Sequence, residues 1–194
     1  MAIDFAFRKA AVKTLTTVKG VYVLCDLDGV PIYVGKTKDG IRARVNRHLT
    51  SARSDIIANR QVDVWEIAYV YAYEASNKAQ RDRLEAQLIW ICHPVSALMN
   101  GTLPPRTKWR NPYPPMQEVQ VMSDSEINDK LDEAQRLPRQ AAHYAQIVGH
   151  FLAVKNSDQI ALAMSAHFKR LSKYHARLLT KSSSLPEDNE ADAE

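Results

Sequence analysis

Cysteine is scarce: Cys25 and Cys92 are the only two in 194 residues. They lie far apart, with no CxxC pair and no His/Cys cluster, so the usual zinc sites are excluded and a reducing cytoplasm is the expected compartment. No apolar run approaches the ~18 residues that a membrane span needs. The opening stretch, MAIDFAFRKAAVK, lacks a signal peptide's apolar core, so no membrane partner is expected. No internal repeat is visible. Acids are nearly missing from one segment: Lys36 to Arg53 holds six basic residues, one histidine and only Asp39 as an acid. Such a stripe reads as a surface for phosphates.

What is present is an ordinary globular composition, 45% hydrophobic and 25% charged. Net charge is +4, unevenly placed: residues 1–119 carry 17 Lys and Arg against 11 Asp and Glu, and residues 120–194 carry 9 against 11. Residues 4–18 suggest a short helix. Alternating Val, Ile and Tyr make 20–26 and 30–35 strands, and Asp28-Gly29 reads as a two-residue turn. In KDGIRARVNRHLTSA, apolar residues at 41, 45 and 49 define a helix whose other face is basic. VDVWEIAYVYAYE (62–74) reads as one long strand, with Tyr69, Tyr71, Tyr73 and Trp65 as packing residues. Asn77 should cap a helix that runs to near Pro94 and carries Trp90 as a further packing residue.

Composition changes after residue 103. Five prolines between 104 and 115 predict an extended connector over 104–120. A helical region follows over 121–180, in stretches of about 125–136, 140–154 and 157–179. Its breaks are expected at Leu137-Pro138 and at Asn156-Ser157-Asp158. The tail 181–194 is acidic and almost without apolar content, the composition of a disordered segment.

With a two-residue turn, facing hairpin residues pair Leu27 with Val30, Leu24 with Tyr33 and Tyr22 with Gly35. That register puts Tyr22 and Tyr33 on one face as diagonal neighbours, with Gly35 leaving space opposite Tyr22. Arg44 and His48 are spaced i, i+4 on one helix face. Glu85 stands within the apolar stripe LEAQLI.

The ordered set GVY (20–22), YVG (33–35), Arg44 and His48 on one helix, Glu85, then Pro94 and Asn100 in HPVSALMN resembles the GIY-YIG nuclease family over about residues 19–101. Valine replaces isoleucine in both tripeptides, which alters only packing. The resemblance implies a nuclease domain over 1–103. With the elements above, it makes the fold an α/β protein of the α+β type, with a small central antiparallel sheet of about three strands flanked by helices and an added C-terminal helical region. It implies a metal-dependent DNA endonuclease of restriction, defence or mobile-element type. A structure-specific repair or recombination nuclease, or a binding module that no longer cuts, stays open.

By that resemblance the catalytic set is Tyr22, Tyr33, Arg44, His48 and Glu85, with Glu85 the ligand of Mg²⁺ or Mn²⁺. Tyr22 is expected to take the proton of the attacking water, aided by Lys36 and Arg44. Lys36, Lys38, Arg42, Arg47 and Asn100 are the expected substrate contacts. The partner is DNA, duplex or branched, and residues 121–180 would serve dimer contacts, target recognition or a partner surface, with a homodimer or protein contact favoured over DNA reading because the region is not notably basic.

Overall fold

A computed structural model describes residues 4–50, 54–106 and 114–183. Its centre is an antiparallel sheet in the order β2-β1-β3-β4, built from β1 (Gly20–Cys25), β2 (Pro31–Thr37), β3 (Tyr69–Glu74) and β4 (Gln117–Gln120). β1 is central and buried along its whole length. Its alternate side chains serve two cores. Tyr22 and Leu24 join α1 (Phe5–Thr14) and α2 (Ile41–Thr50) through Val12, Leu15, Ile41 and Val45. Val21, Val23 and Cys25 face α4 (Lys78–Cys92) through Leu88, Ile89 and Cys92. A period of two thus lets one strand serve both layers.

The expected three-stranded sheet gains a fourth strand. β4 pairs with β3 through Val70 and Val119, inside the stretch that the prolines mark as connector. A tetrapeptide with one apolar residue carries no strand signal of its own, so pairing with β3 decides it. Gln117 fixes it further, accepting from the Thr16 amide and donating to the Thr14 carbonyl, each at 2.8 Å. The 62–74 strand is also shorter than expected. Asp63 accepts from the Trp65 amide at 3.0 Å and caps a 3₁₀ turn over Val64–Glu66, so the strand begins at Tyr69. Tyr69, Tyr71 and Tyr73 pack on the α4 side as expected. Trp65 lies between Arg8 and Lys130, 5.3 and 5.1 Å from its ring centre, and Trp90 donates to the Pro104 carbonyl at 2.8 Å.

The hairpin keeps the predicted register, Tyr22 opposite Gly35 and Leu24 opposite Tyr33, by another route. Asp26 and Val30 close a three-residue loop, with Gly29 at φ 73° where a left-handed residue is needed. A register shift between Leu24 and Cys25, leaving Ile32 as the extra residue on β2, restores the pairing. α4 starts as predicted, with Asn77 and Gln80 forming a reciprocal capping box.

Beyond the sheet come α3 (Asp55–Ala58), α5 (Asp124–Leu131), α6 (Glu133–Ala153) and α7 (Asp158–Ser183). The break expected at Pro138 falls instead at Asp132, and Pro138 lies inside α6. Anchors on both sides hold that turn helical. Arg136 reaches Asp26, Asp28 and Glu66, while Arg139 pairs with Glu66 and Gln140 donates to Asp63. Arg170 and Arg177 of α7 reach Asp26 and Asp28. The helical region is therefore joined to the sheet by a cluster of acids and arginines around the hairpin loop. The core of the connector (107–113) and the acidic tail beyond residue 183 lie outside the described residues. Among the described residues, no helix is long and apolar enough to cross a membrane.

Candidate active site at the edge of β2

Gly35 has no side chain, and a Cβ there would stand 2.4 Å from the Tyr22 hydroxyl. Glycine is required for the Tyr22 ring to cross β2. The ring lies 6.3 Å from that of Tyr33 and 5.6 Å from His48, and Tyr33 and His48 are 6.2 Å apart. The two tyrosines therefore share a face, as the register demands. Tyr22 and His48 share a hydrogen bond of 2.6 Å at Nε2, and His48 Nδ1 lies 2.6 Å from Ser54 Oγ. Tyr22, His48 and Ser54 are all at most 1% exposed. Ser54 escapes the sequence because SARSD carries only a helix-start signal.

Glu85 arrives from the other side. Lys36 faces Val21 in the pairing, so it projects on the α4 face, away from Tyr22. Its ammonium lies 2.7 Å from Glu85 and 2.8 Å from Asp82. Partial desolvation pulls the Lys36 pKa down, but hydrogen bonds to Asp82 and Glu85 outweigh it and hold the ammonium above its ordinary value. Asp82, bonded by Lys36 and Lys78, falls to about 2. β2 is an edge strand, so the two faces meet around it. There Tyr33, Lys36, Glu85 and Asn100 line a single cavity of about 450 Å³. The helix that carries Glu85 packs on the face opposite the tyrosines, and the carboxylate shares a cavity with Tyr33 only at the sheet's edge.

Of the expected substrate contacts, Lys38, Arg42 and Arg47 do not line that cavity, and Asn100 lines it while engaged with β2. Asn100 is buried and accepts from the Val34 amide at 3.0 Å while donating to the Val34 carbonyl at 2.7 Å. Both ends of its carboxamide act as a strand partner for β2, so it holds the edge rather than standing ready for a substrate. Arg42 donates from Nε to the Leu15 carbonyl at 2.6 Å, at the junction of α1 and α2. Arg47 is exposed on α2. Lys38 is exposed just past β2, and Arg44 is half-buried one turn before His48.

Residues 18–90 match the family described as the GIY-YIG catalytic domain. This stretch belongs to the GIY-YIG family. No curated protein and no solved structure matches the chain. GIY-YIG domains are nuclease domains and are generally dependent on a divalent metal, so this one points to hydrolysis of a nucleic-acid backbone. The matched GIY-YIG stretch contains all five residues of the expected catalytic set and ends before Asn100. Among the described residues, no three His, Cys, Asp or Glu side chains form a metal cluster.

Proposed function

We propose that the chain is a DNA endonuclease of restriction, defence or mobile-element type, acting in the cytoplasm with Mg²⁺ or Mn²⁺. The observation that carries this reading is the single cavity at the β2 edge, where Tyr33 from one face of the sheet meets Glu85 and Lys36 from the other. One carboxylate beside open space suits Mg²⁺, which keeps most of its waters and takes phosphate oxygens as further ligands. Glu85 would hold the ion, which supplies charge stabilisation at the phosphoryl oxygens and an acidified water. The Lys36 ammonium already bonded to Glu85 supports a position that favours positive charge. The exposed Leu152 of α6, Val154 just after it and Phe168 of α7 are the surface that a second copy or a protein partner would use. Cleavage of duplex and branched DNA with and without Mg²⁺ tests the reading, and sequenced product ends separate a restriction-type enzyme from a structure-specific one.

The burial pattern supports a change in how the tyrosines divide the work. Sequence reasoning put the water's proton on Tyr22, which has no exposed surface in the folded chain. Tyr33 lines the cavity with Lys36. A tyrosine needs a cationic neighbour to ionise near neutral pH, since its ordinary pKa is ~10. Tyr33 is therefore the proton acceptor, and Tyr22 with His48 and Ser54 backs it as a fixed row. Tyr33→Phe should lower the single-turnover rate by about 10²–10⁴ with little change in melting temperature. Tyr22→Phe removes the partner of a buried imidazole and should cost about 1–3 kcal/mol of stability. Cleavage at full rate by Tyr33→Phe would return the role to Tyr22.

Arg44 would grip the scissile phosphate with its planar fork of donors. Arg44→Ala should reduce the rate at saturating DNA by about 10²–10³, and Arg44→Lys should not restore it fully. Removing Lys38 or Arg47 should instead weaken binding modestly and flatten its salt dependence. Single-turnover cleavage at saturating protein distinguishes the two effects. If Arg44→Ala changed affinity alone, the catalytic cation would have to be sought at Lys36 or Arg42.

A further inference from the structure

The cavity beside Glu85 has a wall that this chemistry leaves unused. Gln61 is only 7% exposed and lines the cavity. Its side-chain amide makes no hydrogen bond among the described residues, whereas its backbone is held at both ends, the N–H donating to the Ile56 carbonyl at 2.9 Å and the carbonyl meeting His167 Nε2 at 3.1 Å. The rest of the side chain is buried, so the amide opens on the cavity, where a ligand can pair with its donor and acceptor.

Gln159, in the first turn of α7, completes the wall. A Cβ on Gly101 would stand 2.8 Å from Gln61 Nε2 and 3.0 Å from Gln159 Cβ. Glycine thus lets the Gln61 amide and the stem of Gln159 approach the same point, and both residues also line the cavity that holds Tyr33 and Glu85. One helix sets the pair. α7 carries Gln159 itself and, through His167, holds the backbone of Gln61. Arg60 adopts a left-handed φ of 56° just before it, a conformation that a non-glycine residue keeps only when its surroundings enforce it.

We propose that Gln61 and Gln159 form a carboxamide clamp on the base of the nucleotide next to the scissile phosphate. The clamp rests on the nuclease reading above. A carboxamide presents a donor and an acceptor side by side, which matches the edge of a base. A phosphate oxygen can only accept, so half of each amide would go unused on the backbone. The clamp gives the C-terminal helices a part in choosing the substrate, although they lie outside the matched domain.

The test follows side-chain amide resonances of isotopically labelled, full-length protein by NMR during titration with a short mixed-sequence DNA duplex, metal omitted. The expected result is a shift of the Gln61 and Gln159 carboxamides together with the backbone amides of α2. Movement in α2 with both carboxamides still would overturn the clamp and leave the nuclease reading standing. No movement anywhere would overturn both. In cleavage, Gln61→Leu combined with Gln159→Ala should lower the single-turnover rate about tenfold, as loss of net hydrogen bonding does, and should change the bases found at product ends. An unaltered base distribution at those ends would overturn recognition of a base.

Discussion

Glu85→Gln should abolish cleavage, by about 10³-fold or more, while DNA binding stays close to that of the unaltered protein. The ion that this carboxylate would hold supplies several kcal/mol of transition-state stabilisation, and each 1.4 kcal/mol is about tenfold in rate. Binding draws on a different part of the molecule. It is dominated by phosphate contacts, which on the proposed reading the basic stripe of α2 and its flanks would provide. Glutamine keeps the shape and can still meet Lys36, which retains Asp82 as its second partner. Cleavage in Mg²⁺ and equilibrium binding at matched salt are the two measurements. Substantial turnover by the variant would place the metal elsewhere.

Arg136→Met should destabilise the fold by about 3–5 kcal/mol, the usual consequence of stranding buried charges. Arg136 is 1% exposed and donates to Asp28 at 2.7 Å, to Glu66 at 2.9 Å and to the Tyr174 hydroxyl at 3.0 Å, with its guanidinium 4.0 Å above the Tyr174 ring. Burial pushes the Glu66 carboxyl up, while Arg136 and Arg139 pull against that shift. With Arg136 gone, that balance tips toward a protonated Glu66. Denaturant titration reads the loss directly, and a midpoint within error of the unaltered protein would show that Arg139 and Arg170 suffice. Arg136 does not line the cavity, so the folded fraction of the variant should cleave at the normal rate.

Local chemistry explains what the sequence revealed. The hairpin, the α2 pattern, the Asn77 cap and the trailing Asn100 rest on contacts between near neighbours or on family spacing. Asp28-Gly29 announced a turn, and the register survived a wrong loop length because the longer loop and the shift near Cys25 cancel. What stayed hidden is long-range. β4 becomes a strand only against β3. Pro138 sits in a helix because arginines beside it are held by acids more than 60 residues away. Gln61 and Gln159 meet at Gly101 with nothing in either neighbourhood to announce it. The burial of Tyr22 could not be read either, since alternation gives a shared face and not which ring reaches solvent.

Asp26 combines both kinds of contact. One oxygen accepts from the Asp28 and Val30 amides at 3.0 and 2.8 Å and shapes the hairpin loop, while the other bonds Arg170 and Arg136. The loop can form as soon as the first strands leave the ribosome, because its bonds span at most four residues. Its charge meets arginines that follow 110 and 144 positions later. Chains are made N-terminus first at about 5–20 residues per second, so the nascent hairpin waits many seconds with that carboxylate exposed to water. Neutralisation of Asp26 is thus tied to the synthesis of α6 and α7, and a chain released before Arg136 would leave this carboxylate without either counter-ion.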